Sequence, residues 1–298
     1  METFGEKSVN RYHLPRGRLK RIAPGCYVDA EEWAQAYPSD RFLTAATAVG
    51  RAHVLTSRSA AAVLGLPLVS IPQEIDIAVT GRGHVGRTPP GRFPFGMKRI
   101  RSLSPPMEFG DLLITPPSES ILRAAGSLPI GEAVALCDAA LRRHYVDEAS
   151  WAPSGPDLMV ALEAATWRGG RTNARRALEF ARPQSESPGE SMSRVLIIES
   201  GFRAPELQVR FCLNSGETAR CDFFWREAGI IGEFDGLIKY QPGLSGQRSP
   251  AEVAMEERQR ESALHDLGFR VLRWTWSALR GEQPLLPRLL RDAGVPRA

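Results

Sequence analysis

The chain has 298 residues and a mass of 32.8 kDa, enough for two domains. With 43% hydrophobic and 24% charged residues it is not a disordered chain. No run approaches the ~18 to 20 apolar residues of a membrane span, and the first residues lack a signal-peptide core, so a cytoplasmic protein is expected. Its cysteines, Cys26, Cys137, Cys212 and Cys221, form no CxxC pair and read as reduced thiols.

In chain order the patterns predict a strand over 22–28, helices over 39–50 and 57–64, and strands over 75–79, 98–100 and 111–115. Helices over 118–126, 128–143, 156–167 and 171–181 follow. The polar segment Arg182-Pro-Gln-Ser-Glu-Ser-Pro188 marks a domain boundary. Beyond it come a helix over 188–200, strands over 207–213, 219–225 and 230–235, a helix over 250–267, a strand over 269–274 and a short helical tail from Gln283. The expected fold class is α+β: residues 1–182 form a helix-rich domain, and residues 187–298 an α-β-β-β-α-β domain.

Charge is divided unevenly. The net charge of +4 is made of +5 over residues 1–185 and −1 from Glu186 onward. Between Asp76 and Glu108 there is no acid, while Arg82, Arg87, Arg92, Lys98, Arg99 and Arg101 all fall there among prolines and glycines. This stretch suits a phosphate-binding arm, with Arg82, Arg87, Arg99 and Arg101 as nucleic-acid contacts, or a solvated loop. Of the 38 cationic residues only Lys7, Lys20, Lys98 and Lys239 are lysines. Coding bias explains the excess of arginine, but a retained lysine also marks a place where an ammonium serves better than a guanidinium.

Chemistry concentrates in the second and third strands of the C-terminal part. Alternation puts Arg220, Asp222 and Phe224 on one face, and Ile231, Glu233 and Asp235 on one face of the next strand. Closing the Arg226-Glu227-Ala228-Gly229 turn symmetrically pairs Trp225 with Ile230, and Asp222 then faces Glu233. Carboxylates so placed repel unless something positive lies between them. A hard divalent cation, Mg²⁺ or Mn²⁺, held by Asp222 and Glu233 is one solution. Solvation, or neutralisation by Arg220, is the other. Lys239 follows in Gly-Leu-Ile-Lys-Tyr and could serve a metal-bound phosphate. Glu190 reads both as a helix-capping residue in Ser187-Pro188-Gly189-Glu190 and as an outer acid of the site. Arg258 on the later helix could reach a phosphate or pair with Glu261. Trp274 and Trp276 read as core residues or as base-stacking surfaces.

The α-β-β-β-α-β order, Asp222, Glu233-x-Asp235 and Leu-Gly-Phe-Arg-Val-Leu-Arg resemble the PD-(D/E)xK nucleases, in particular the domain allied to very-short-patch-repair endonucleases. This resemblance, over residues 187–279, implies a Mg²⁺-dependent endonuclease acting on DNA, with Asp222 and Glu233 as metal ligands and Glu190 as the acid of the first helix. Asp235 stands where that family has its lysine, which leaves Lys239 or Asp235 to assist the water. In the N-terminal part, Arg-Ile-Ala-Pro-Gly-Cys-Tyr-Val, Leu-Thr-Ser-Arg-Ser-Ala-Ala-Ala-Val-Leu-Gly-Leu-Pro and Leu-Ile-Thr-Pro-Pro-Ser-Glu-Ser-Ile resemble the antitoxin family of type IV abortive-infection toxin-antitoxin systems. That resemblance implies a regulator binding DNA or a cognate toxin. The segment before the wing-like motif is too short for a full winged helix-turn-helix.

Overall fold

A computed structural model describes residues 17–81, 83–167, 169–236 and 250–298. Mixed α and β structure runs through it, with four small sheets and ten α-helices among the described residues, as an α+β composition requires.

The first expected strand is a hairpin, β1 (Leu19–Ala23) and β2 (Cys26–Asp29), because Gly25 supplies a left-handed turn at φ +70°. Asp29 then caps a short helix that apolar periodicity did not announce, α1 (Ala30–Gln35), by accepting from the Glu31 and Glu32 amides. Helices α2 (Pro38–Gly50) and α3 (Ser57–Val63) lead to β3 (Glu74–Val79). Strand β5 (Gly96–Arg101) runs parallel to β3 and antiparallel to the three-residue β4 (Gly86–Thr88). A second hairpin, β6 (Met107–Phe109) and β7 (Leu112–Ile114), joins this sheet through Leu55, which bridges both Ile77 and Ile114. At three residues each, strands β4 and β6 are too short to establish a period of two.

Four helices complete this half: α4 (Pro117–Ser127), α5 (Ile130–Tyr145), α6 (Gly155–Glu163) and α7 (Arg171–Phe180). Their apolar faces, with Phe42, Leu55, Ile75, Ile77 and Ile114, build one continuous core.

From α8 (Pro188–Glu199) onward the order is as read from the sequence. Strands β8 (Glu206–Cys212), β9 (Thr218–Trp225), β10 (Ile230–Phe234) and β11 (Arg270–Trp274) form a sheet in the order β11-β10-β9-β8, antiparallel except for the β10–β11 pair. One face packs Phe223, Trp225, Ile230, Phe234 and Trp274 against Ile197 of α8 and Leu286 and Leu290 of α10 (Leu286–Asp292). The other packs Cys221, Phe224 and Ile231 against Leu264 of α9 (Pro250–Asp266). Close packing leaves no room at Gly232, where a Cβ would lie 2.5 Å from the Trp274 ring.

The polar segment before α8 is not a free tether. The Arg182 amide donates to Asp138 Oδ1 at 2.6 Å, and Ser185 is buried. Helix α8 serves both halves: Val195 joins the first core and Ile197 the second. Between them Arg194 Nη2 meets Asp138 Oδ2 at 2.6 Å, with both side chains buried. Burial pushes the Asp138 carboxyl up from its ordinary range, against the pull of Arg194. A buried pair contributes little net stability, but removing one partner leaves an uncompensated charge. Arg194→Ala is therefore expected to lower the unfolding free energy by about 3 to 5 kcal/mol in urea titration. The double replacement of Arg194 by Met and Asp138 by Leu should recover most of that loss. A single-variant loss of under about 1 kcal/mol would show that the pair does not couple α8 to α5.

Candidate functional site

The hairpin closes in the expected register: Trp225 pairs with Ile230, Phe224 with Ile231 and Phe223 with Gly232. A three-residue 3₁₀ turn, Arg226–Ala228, and Gly229 at φ +59° make the connection. Regular pairing ends at Phe223–Gly232. At the next step the Phe234 amide donates not to a backbone carbonyl but to Asp222 Oδ2, at 2.9 Å.

This substitution of a side chain for a ladder acceptor changes which acids meet. Strict alternation would place Cys221 and Phe223 on one face, yet Cys221 packs on the α9 side and Phe223 on the α8 side. The face switches at Asp222, whose carboxylate turns toward α8. Opposite it on β8, Gln208 holds φ +53°, a left-handed conformation inside a strand and uncommon for a residue with a Cβ. From there Gln208 Nε2 donates to Glu190 Oε2 at 2.9 Å and to Asp222 Oδ1 at 3.3 Å.

Glu190 takes the capping role read for it. Ser187 Oγ accepts from the Glu190 amide at 3.2 Å and donates to Glu190 Oε1 at 2.8 Å, which fixes the start of α8. The Glu186 amide donates to Glu190 Oε2 at 2.9 Å. The carboxyl is 8% exposed, and burial, then the Asp222 charge, push it up to about 7. Its neighbour Gly189 has no space for a Cβ, which would lie 1.9 Å from the Phe234 ring. Glu190, which is buried, and the half-buried Gln208 and Asp222 thus form one group tied to the Phe234 amide, and Gln208 was the member that sequence alone did not single out. Its signal was faint: a polar residue in the middle of an edge strand.

Glu233 lies on the other side of the sheet. Its Oε1 meets Arg260 of α9 at 2.6 Å and its Oε2 meets Arg273 of β11 at 3.0 Å. Arg273 continues to Glu261 at 3.0 Å. The expected opposition of Asp222 and Glu233 across one face is therefore replaced by two separate clusters. Arg220 neutralises neither acid and pairs with Glu186 at 2.5 Å. The Asp235 amide donates to the Trp274 carbonyl at 2.9 Å, so Asp235 stands at the end of the parallel β10–β11 pair. Lys239 and Arg82 lie outside the described residues.

The arginines expected to contact nucleic acid are spread out. Arg258 is exposed on α9. Arg87 reaches Glu74 at 3.6 Å, Arg99 donates to Thr88 Oγ1 at 2.9 Å, and Arg101 donates to the Gly81 and Gly83 carbonyls. Trp274 is core, its Nε1 donating to Ser193 Oγ at 2.8 Å, whereas Trp276 is half-buried against Phe234 beneath the Arg280 guanidinium.

Whether these residues suit a divalent cation turns on donor chemistry. No cluster of three or more His, Cys, Asp or Glu stands ready for a metal among the described residues. Two carboxylates and one amide do converge, and Gln208 Oε1 is buried without a hydrogen-bond partner among the described residues. A buried acceptor left unpaired costs about 1 to 3 kcal/mol. Two carboxylate groups with an unpaired amide oxygen match the all-oxygen preference of Mg²⁺, which keeps several waters of its own.

Two uncharacterized proteins of Mycobacterium tuberculosis, one from strain CDC 1551 and one from strain H37Rv, are each 30% identical to the chain over 160 residues. The match covers 54% of the chain and 54% of each relative, so the chain spans about half the length of the curated relatives it matches. No family model matches the sequence. No solved structure matches it. No helix among the described residues is long and apolar enough to cross a membrane.

The raised Glu190 carboxyl makes stability depend on pH. Its ordinary value is 4.5 and its folded value about 7. Between these values the unfolded chain has ionised while the folded protein still holds the proton. Stability conferred by that proton is complete below pH 4.5 and is lost as pH rises through 7. The loss should reach about 3 kcal/mol. Urea unfolding of wild type against Glu190→Gln across this range should show the slope only in the wild type. Parallel curves would mean that Glu190 ionises freely in the fold.

Proposed function

We propose that the C-terminal half is a divalent-metal-dependent phosphodiesterase acting on nucleic acid, with DNA the expected substrate, built on a PD-(D/E)xK-type scaffold. The observation that carries this reading is the group Glu190–Gln208–Asp222: a carboxyl driven toward neutrality by burial and then by the Asp222 charge, an amide oxygen unpaired among the described residues and a strained strand backbone at one place. Structural requirements alone favour none of these.

Phosphodiester hydrolysis needs an activated water and neutralisation of the charge that develops on phosphorus. A bound Mg²⁺ or Mn²⁺ supplies both, as a Lewis acid and by lowering the pKa of a coordinated water. Asp222 and Glu190 would hold the ion, and Gln208, whose Nε2 bridges the two carboxylates, would turn its amide over to present Oε1. The Phe234 amide fixes Asp222, and Ser187 and the Glu186 amide fix Glu190, so neither carboxylate must reorient on binding. Glu190 must shed its proton first, which makes cation affinity rise with pH through about 7. Asp235, at the end of β10, and Lys239 beyond it are the candidates to orient the attacking water. Glu233 in this reading is held by Arg260 and Arg273 and anchors the α9 side of the site.

A second reading is favoured by that same contact. Glu233, which the family resemblance assigns to the metal, has both oxygens taken by guanidiniums. A non-catalytic antitoxin or regulator, keeping the nuclease scaffold and binding a toxin or DNA, would tolerate such a substitution of partners. Titration calorimetry with Mg²⁺ at pH 8 separates the two. Under the first reading the wild type binds the ion and Asp222→Asn does not. With Mn²⁺ or Mg²⁺ the wild type then nicks supercoiled DNA, and Asp222→Asn loses more than the roughly 10- to 100-fold that removal of an outer-shell partner costs. Heatless titrations and equal, background-level nicking would leave the scaffold reading standing.

A further inference from the structure

The N-terminal sheet holds a lysine, Lys98, whose ammonium has no salt-bridge partner among the described residues. Asp76 of β3, Lys98 of β5 and Arg87 of β4 are cross-strand neighbours and share one face. Asp76 is fully buried and both its oxygens are engaged: Arg58 Nε meets Oδ2 and Arg58 Nη2 meets Oδ1, each at 2.8 Å. The Arg58 amide adds a further bond to Oδ2 at 3.2 Å. The other nearby acid, Glu74, is approached by Arg87 at 3.6 Å. The Lys98 side chain is half-buried and makes no hydrogen bond or ion pair among the described residues.

An ammonium in this position is costly. Burial lowers the Lys98 pKa, and Arg58 and Arg87 lower it further against the pull of Asp76 and Glu74. No acid occurs from residue 77 to 107, so the chain supplies no other neutralising group nearby in sequence. Relief can come from outside, as an anion. Arg99 and Arg101, the more obvious contacts by sequence, already donate to Thr88 and to the Gly81 and Gly83 carbonyls. Arg87, by contrast, leaves 67% of its side chain exposed beside Lys98.

We propose that Lys98 and Arg87 form a phosphate-binding point on the β3–β5–β4 face, taking a backbone phosphate of a nucleic acid. A compact ammonium behind a mobile guanidinium suits a phosphate oxygen. The inference is independent of the Glu190–Asp222 group and needs no metal.

The test uses the full chain in EDTA, which silences any cation-dependent chemistry. A fluorescein-labelled DNA duplex is titrated by anisotropy over a range of salt concentrations. Each neutralised phosphate contributes about 0.9 to the slope of log K against log salt. Lys98→Met should reduce that slope by about 0.9 and weaken binding several-fold, whereas Arg288→Gln, at an exposed position of α10, should leave the slope unchanged. Lys98→Met should melt no lower than the wild type, since it removes an unpaired cation. Equal slopes for wild type and Lys98→Met, or no duplex binding by the wild type, overturn the proposal. So does a lower melting point for Lys98→Met, which would make Lys98 a packing residue. Inorganic phosphate provides the remaining arm: if it raises the wild-type melting point and the duplex does not bind, the ligand is free phosphate and the nucleic-acid assignment fails.

Discussion

One hydrogen bond organises the C-terminal half: the Phe234 amide given to Asp222 Oδ2 where a backbone carbonyl would serve in a regular ladder. A buried amide must find an acceptor, and by using a carboxylate the hairpin stops pairing at Phe223–Gly232 and opens between β9 and β10. The displaced acid turns to the α8 side. There it meets Gln208 on a strand whose backbone is itself bent into a left-handed conformation, and through Gln208 it meets Glu190. The cost of holding two carboxyls together in a buried place falls on Glu190, which keeps its proton to about pH 7. Regular pairing would have spared the fold all of this.

The same opening separates two kinds of acid. Glu233 remains in phase with β10, faces α9, and is neutralised within the chain by Arg260 and Arg273. Asp222 and Glu190 share the Gln208 amide. A fold under pressure only for stability would treat these acids alike, because an arginine beside Glu190 would lower its pKa and remove the strain. The difference sets the α8-side group apart as the one in which burial, then the Asp222 charge, raise the Glu190 carboxyl.

Much of this half was legible because its determinants are local. A glycine-ended turn and flanking apolar residues set the hairpin register, and Trp225 pairs with Ile230 as alternation requires. Ser187 and Glu190 announced the start of α8 through capping chemistry. Which face an acid occupies was not legible, because one irregular residue reverses it and nothing in the composition of Ala-Arg-Cys-Asp-Phe-Phe-Trp marks the switch. Gln208 was missed for a related reason: its φ is set by contacts from α8 and β9, far away in sequence. In the N-terminal half the strands β4 and β6 and the helix α1 rest on pairing or on a single cap, and so left no periodic trace.

The shortage of lysine gains a physical meaning at Lys98. Arginine suits positions where a guanidinium can fork onto a carboxylate or carbonyls, and Arg58, Arg194, Arg260 and Arg101 are all used that way. A guanidinium at 98, between Arg58 and Arg87, would compete with Arg58 for the Asp76 oxygens and unsettle a fully buried acid. An ammonium is smaller and has no such fork, so it can stand beside the pair without dismantling it.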